Sequence, residues 1–335
     1  MTIGPTPRGG TSYVGTLAQA TPPRWRSAAS RAKRTVSIGS LAGSLTALTP
    51  IIWGSTYAVT TEFLPPDRPL FTALMRALPA GLVLLAFTRM LPRGIWIGRA
   101  IALGILNIGA FFPLLFLAAY RLPGGVAGVL GAVAPMFALG FATVVLAEKP
   151  NGRKVIAGVI GVFGVALVVL KANAQLDTVG VIAGLAGAAA MAAGTVFTQR
   201  WGRPEGVGPL VLTGWQLSAG GLFILPLALL IEGAPPALDG RAIGGYLYLA
   251  VIGTAVAYWL WIRGIAKVPA TSVAFLGLLS PVSAALIGWI ALGQSLGPLQ
   301  VAGLLIALAG TLYGQLAGRP KPAAVAGAPE MVEAR

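Results

Sequence analysis

The sequence contains no cysteine and no histidine, and only 10% of its 335 residues carry a charge. The first absence excludes disulfides and thiol chemistry. The second removes the commonest general base, the usual metal ligand and the side chain that most readily relays protons near neutral pH. The third is a deficit against the roughly 25% of charged residues found in soluble domains, and it assigns most of the chain to lipid. Acidic residues are scarcest, with nine Asp and Glu against 24 Lys and Arg. No lysine lies inside an apolar run, and no pair of buried carboxylates appears. Neither a Ser/Lys dyad nor a carboxylate couple is therefore available for acid–base work. The sequence predicts no enzyme, no cofactor and no metal site.

What is present is apolar: 56% of the residues are hydrophobic, and the mean hydropathy is +0.82. Ten apolar segments follow one another at about 44–63, 69–88, 100–119, 123–146, 154–171, 178–199, 208–231, 242–264, 269–292 and 298–317. Each is near the roughly 20 residues that cross a bilayer as a helix. The expected fold is an all-α polytopic membrane protein with ten transmembrane helices, and the lipid bilayer is its first partner. Residues 1–40, rich in Thr, Pro, Gly and Ser and carrying Arg24, Arg26, Arg31, Lys33 and Arg34, read as a disordered basic tail. Residues 318–335 read as a short Pro/Ala-rich tail.

The net charge of +15 could suggest nucleic acid, but the basic residues sit in tails and loops between apolar spans. If both tails are cytoplasmic, only Arg68, Arg121, Lys171 and Arg241 fall outside, and Arg76 lies within a span. Positive-inside topology accounts for that distribution. Both termini are expected in the cytoplasm, and nucleic acid is not an expected partner.

The chain also repeats itself. Residues 121–149, RLPGGVAGVLGAVAPMFALGFATVVLAEK, return as residues 267–295, KVPATSVAFLGLLSPVSAALIGWIALGQS. At an offset of 146, Pro123 falls on Pro269, Leu130 on Leu276, Gly131 on Gly277 and Pro135 on Pro281. Upstream the offset is 140, with Gly54 on Gly194, Leu70 on Leu210, Gly81 on Gly221 and Leu85 on Leu225; residues 232–241 supply the difference. Five spans per copy is an odd number, so the second copy enters the membrane upside down. The repeats are expected at 41–172 and 173–317. Pro135 and Pro281 each remove a backbone donor within a span and bend it. Matched bends in two inverted halves predict a transporter with its site near the bends. A non-transporting membrane scaffold or sensor is the alternative.

With Trp53-Gly54 in the first span, Arg76 in the second, Leu122-Pro-Gly-Gly-Val-Ala127 and Pro135 in the fourth, the Leu146-Ala-Glu148 ending, and Gly158, Gly161 and Gly164 after it, the chain resembles the EamA family of the drug/metabolite transporter superfamily over residues 44–317. The resemblance implies two inverted five-helix repeats in the bacterial cytoplasmic membrane and a central cavity open to one side at a time. It implies export of amino acids or other small metabolites. Gln294 stands where that family often has a glutamate in its second repeat, and Ala193 where a tryptophan is common opposite Trp53. These departures speak against any role that needs symmetric carboxylates.

Candidate site residues follow. Trp53, Tyr57, Phe111, Tyr258 and Trp259 are either cavity walls or interfacial anchors. Thr56 and Asn107 either supply polar contacts to a substrate or bond between helices. Arg76 either binds a substrate carboxylate through its two-pronged guanidinium or is held by Glu62 or by backbone carbonyls. Glu148, beside Lys149, Arg153 and Lys154, is read as a latch or surface pair at the cytoplasmic end of its span. The glycines of the fifth and tenth spans suit close helix packing, within the chain or across a homodimer.

Overall fold

The computed structural model describes residues 41–147, 152–170, 177–260, 279–294 and 296–317, together with Met1. Glu148 lies outside the described residues. Among those described the chain is helical, with no strand. This is the state expected of long apolar runs, because a helix satisfies its own backbone donors and acceptors where water is absent.

The elements are α1 (Leu41–Gly54), α2 (Thr56–Phe63), α3 (Pro69–Thr88), α4 (Ile95–Arg121), α5 (Gly124–Val145), α6 (Gly152–Leu170), α7 (Thr178–Trp201), α8 (Pro209–Glu232), α9 (Gly240–Leu260), α10 (Leu279–Leu292) and α11 (Pro298–Ala317). Six of them, α3, α4, α5, α7, α8 and α9, are long and apolar enough to cross a membrane. Shorter apolar helical stretches lie at Val155–Leu167, Leu279–Leu292 and Pro298–Gly310. Local chemistry sets several ends. Pro69 and Pro209 open α3 and α8 at positions where a missing N–H costs nothing. Asp177 and Asp239 cap α7 and α9 by accepting from the N–H of Gly180 at 2.9 Å and of Ala242 at 2.8 Å.

Four helices depart from α geometry, α8 by a π turn over its last residues, Ala228–Glu232. α5 tightens into a 3-10 turn at Gly131–Val133 immediately before Pro135. Pro135 has no N–H for the Gly131 carbonyl, and the turn is where the chain absorbs that loss. α4 and α9 widen into π turns at Ile105–Ala110 and Tyr248–Val256.

Several contacts between the two halves recur under exchange of repeats. α4 packs on α7 as α9 packs on α1; α5 packs on α7 as α10 packs on α1; α4 packs on α8 as α9 packs on α3. Three further interfaces between the halves, α3–α8, α5–α10 and α6–α11, join each helix to its own counterpart. α3 and α8 run antiparallel. A Cβ on Gly221 would lie 2.8 Å from Leu78 Cβ, one on Gly81 2.7 Å from Ser218 Oγ, and one on Gly214 3.1 Å from Leu84 Cβ. α6 and α11 also run antiparallel, with Gly161 against Gly310 and Gly164 against Ala307. The glycines of these two helices therefore sit inside one chain's own interface. That position removes the basis for reading them as a dimer face.

Candidate functional site

A cavity of about 560 Å³ lies among α1–α5, α7 and α9–α11. Its walls are mostly apolar, as in small-molecule sites generally. Trp53, Thr56 and Tyr57 enter from the first two helices, Arg76 from α3, Phe111 from α4 and Tyr258 from α9. Both bend prolines, Pro135 and Pro281, reach it as well. Eight of the expected residues thus share one space.

Two others do not. Asn107 is turned away: its amide nitrogen donates to Gln216 Oε1 at 2.9 Å, between α4 and α8. Its side chain fills the space over Gly194. Trp259 is adjacent to Tyr258 but points outward, with 42% of its surface exposed. Consecutive helical positions lie about 100° apart, and here the step turns Trp259 off the cavity wall that Tyr258 joins.

Arg76 is the polar centre. It is buried, at 4% exposure. Its Nε donates to Thr254 Oγ1 at 3.2 Å, Nη1 to Thr56 Oγ1 at 3.5 Å, and Nη2 to the Gly253 carbonyl at 3.4 Å. The guanidinium carbon stands 4.6 Å from the centre of the Phe112 ring and 5.8 Å from that of Phe116, within cation–π range. Among the described residues no carboxylate pairs with it. Glu62, the carboxylate nearest in sequence, makes no ion pair with it. Carbonyl and hydroxyl oxygens hold Arg76, and a Glu62–Arg76 pair does not form. The Gly253 carbonyl also accepts from Trp53 Nε1 at 3.2 Å. Trp53 and Tyr258 pack with ring centres 5.6 Å apart.

The π turn of α9 explains this geometry. Within it the Thr254 hydroxyl donates to the Leu249 carbonyl, five residues back, at 2.9 Å while accepting from Arg76. The widened turn leaves the Gly253 carbonyl open to side chains from α1 and α3. Gly253, Thr254 and Phe112 are absent from the sequence-based candidates. Gly253 had a signal, since it is the repeat counterpart of Asn107 at the 146 offset. Phe112 had the same kind of signal, as the counterpart of Tyr258 at that offset.

One end of the bundle is tied by polar contacts. Glu232, at the end of α8, accepts from the N–H of Leu70 at 2.7 Å and of Phe71 at 2.9 Å, capping α3 from another helix. Arg68 donates to the Glu232 carbonyl. Tyr120 donates to the Pro65 carbonyl at 2.9 Å. Arg121 and Asp177 form an ion pair at 2.8 Å, and Gln294 Oε1 accepts from the N–H of Gly124 at 3.0 Å. Gln294, the departure noted in the sequence, therefore does the work of a neutral helix cap on α5. The Gly180 N–H, and after it the Arg121 side chain, hold the Asp177 carboxyl below its ordinary range.

The EamA-like transporter family matches residues 41–170 and 178–313. The chain is similar to Protein PecM of Dickeya dadantii (strain 3937), 42% identical over 256 residues, which is 76% of this chain and 86% of the relative. It is also similar to the uncharacterised inner membrane transporter YedA of Escherichia coli (strain K12), 31% identical over 272 residues, 78% of this chain and 85% of the relative. A solved crystal structure matches with a TM-score of 0.57 at 20% identity, covering 81% of this chain and 96% of the other. At that identity the likeness speaks for the fold alone.

Proposed function

The chain belongs to the EamA-like transporter family and is a membrane transporter, and from that premise we propose that it exports amino acids or other small metabolites by alternating access of two inverted repeats. The observation that carries the substrate class is Arg76. It is buried beside the cavity and satisfied only by neutral oxygens among the described residues. A charge inside a span costs roughly 2.5–3.5 kcal/mol at the helix centre. Neutral partners return part of that, and a substrate carboxylate would return more through paired, charge-assisted hydrogen bonds. The aromatic rings of Trp53, Tyr57, Phe111 and Tyr258 would pack against the apolar part of such a substrate.

Alternating access is supported by the antiparallel pairing of α3 with α8 and of α6 with α11. It is supported also by contacts between the halves that recur under exchange of the repeats. Two halves related in this way can trade conformations, and the cavity then opens to the other face. The bends at Pro135 and Pro281, both on the cavity wall, are the hinges of this reading. Glu148 keeps its assignment as a latch at the cytoplasmic end. The positive-inside count supports the bacterial cytoplasmic membrane with both termini inside.

The test is flux in proteoliposomes holding the purified protein, with and without an imposed pH gradient, over a panel of anionic, zwitterionic and neutral metabolites. Saturable flux restricted to carboxylate-bearing members supports the reading. Absence of flux across the whole panel, from protein that is folded and inserted, overturns it.

A further inference from the structure

The two repeats carry equivalent polar nodes in different conditions. At the 140 and 146 offsets, Trp53, Arg76 and Gly253 correspond to Ala193, Gln216 and Asn107. In the first node the long side chains come from α1 and α3 and converge on the backbone of α9 at Gly253. In the second the long side chain comes from α4 instead. Asn107 reaches Gln216 and covers Gly194, beside the small Ala193. Bulk and polarity are redistributed, yet the counterparts of Arg76 and Gly253 again meet. Gly253 and Asn107 each lie in the π turn of their own helix.

The cavity treats the two nodes differently. Three counterpart pairs have both members on its wall: Phe112 with Tyr258, Ala134 with Ser280, and Pro135 with Pro281. These mark its centre. Of the two nodes, only the first reaches it. Trp53, Thr56 and Arg76 line the cavity, whereas Ala193, Val196 and Gln216 do not. Arg76 and Gln216 are each seven residues from the start of their antiparallel helices. With Leu78 opposite Gly221 and Gly81 opposite Ser218, they stand about 10 Å apart along the shared axis at 1.5 Å per residue. The cavity therefore reaches from its centre toward one node and stops short of the other.

We propose that Ala193, Gln216 and Asn107 form the wall of this same cavity when it opens toward the opposite face. The substrate's anionic group then meets a guanidinium in one state and a neutral amide pair in the other. The inference rests on the alternating-access reading above, which requires the halves to exchange conformations. Its consequence is a difference in affinity between the two states. A carboxylate is held by charge-assisted hydrogen bonds at Arg76 and by weaker neutral ones at Asn107 and Gln216, so binding is tighter at the first node than at the second.

The absence of cysteine makes the test direct, since a single introduced thiol has no background. Thr56→Cys reports the first node, Ala193→Cys the second, and Ser280→Cys the centre. Ala193→Cys leaves the Asn107–Gln216 bond intact and adds one atom, so folding is retained. Each variant is treated with a membrane-impermeant maleimide in right-side-out and in inverted vesicles. The expected result is labelling of Thr56→Cys from one face, Ala193→Cys from the other, and Ser280→Cys from both. If Ser280→Cys reacts from both faces while Ala193→Cys shares the face of Thr56→Cys, or reacts only after denaturation, the second node is not a cavity wall and the inference falls alone. If Ser280→Cys reacts from one face only, alternating access falls, and the inference with it.

Discussion

Arg76 stands at the centre of the residue-scale chemistry because its three hydrogen bonds and its two ring contacts come from three different helices. Lysine would keep the charge and lose the planar fork. We expect Arg76→Lys to leave the protein inserted and to raise the half-saturating concentration at least about tenfold, the equivalent of 1.4 kcal/mol, for anionic and zwitterionic substrates but not for neutral ones. Uniform loss of thermal stability in detergent for both the lysine and alanine variants, with unchanged half-saturation in what remains folded, assigns Arg76 a structural role instead. Asp177 gives a second expectation at this scale. Its carboxyl is held below its ordinary range, first by the Gly180 N–H and then by Arg121. A depressed carboxylate contributes fully above its unfolded value, about 3.9, and loses that contribution as pH falls through the lower folded value. The difference in melting temperature between wild type and Asp177→Ala should be constant near neutral pH and close only in acid below the usual aspartate range. A difference that closes already at pH above about 5 would contradict the assignment.

At the scale of elements, the α5 bend and the α6–α11 interface answer to different forces. The Gly131–Val133 turn and Pro135 form one unit, in which the Gly131 carbonyl accepts from the Ala134 N–H in place of the donor that Pro135 lacks, with the cavity beside it. Replacing Pro135 and Pro281 together by alanine restores two donors and stiffens both bends. We expect slower flux at unchanged membrane insertion; wild-type flux in the double variant would remove the hinge role. Between α6 and α11 the constraint is contact distance. A Cβ on Gly310 would lie 2.7 Å from the Gly161 nitrogen, which no side-chain rotation can relieve. Gly310→Leu should destabilise the protein by more than the roughly 1–3 kcal/mol typical of overpacking, read as a lower melting temperature in detergent. A melting temperature equal to wild type would show that the two helices do not meet there.

At the scale of the whole molecule, the ties at one end decide what must break for the halves to move. Arg121 and Asp177 join α4 to α7, one from each repeat. Their counterparts in function, Glu232 on the start of α3 and Gln294 on the start of α5, also cross between repeats. Bridging Arg121→Cys and Asp177→Cys with a short bismaleimide should arrest flux in proportion to the fraction cross-linked. Full flux in fully bridged protein would show that the repeats do not separate at this end. The exposed Arg121–Asp177 pair is itself worth little, so its alanine variants should transport normally. The bridge tests motion, whereas the variants test stability.

The sequence by itself determined the class of the molecule. Scarcity of charge and runs of about 20 apolar residues admit a helical membrane protein and little else, because an unpaired backbone group in lipid is too costly. Matched prolines and glycines at two constant offsets determined the duplication, since both residue types act through the backbone and leave marks that survive divergence. Trp53, Thr56, Tyr57, Arg76, Phe111 and Tyr258 were legible as site candidates because polar and large aromatic groups inside apolar spans need a reason. Only the tertiary structure decided between neighbours. Tyr258 faces the cavity and Trp259 does not, and Asn107 bonds to Gln216. In a helix apolar on all sides hydropathy carries no direction, so the rotation of each span is fixed by packing against helices distant in sequence. The partners of Arg76 were hidden for the same reason. They are a backbone carbonyl and two hydroxyls, brought within reach by a π turn that no side-chain pattern announces.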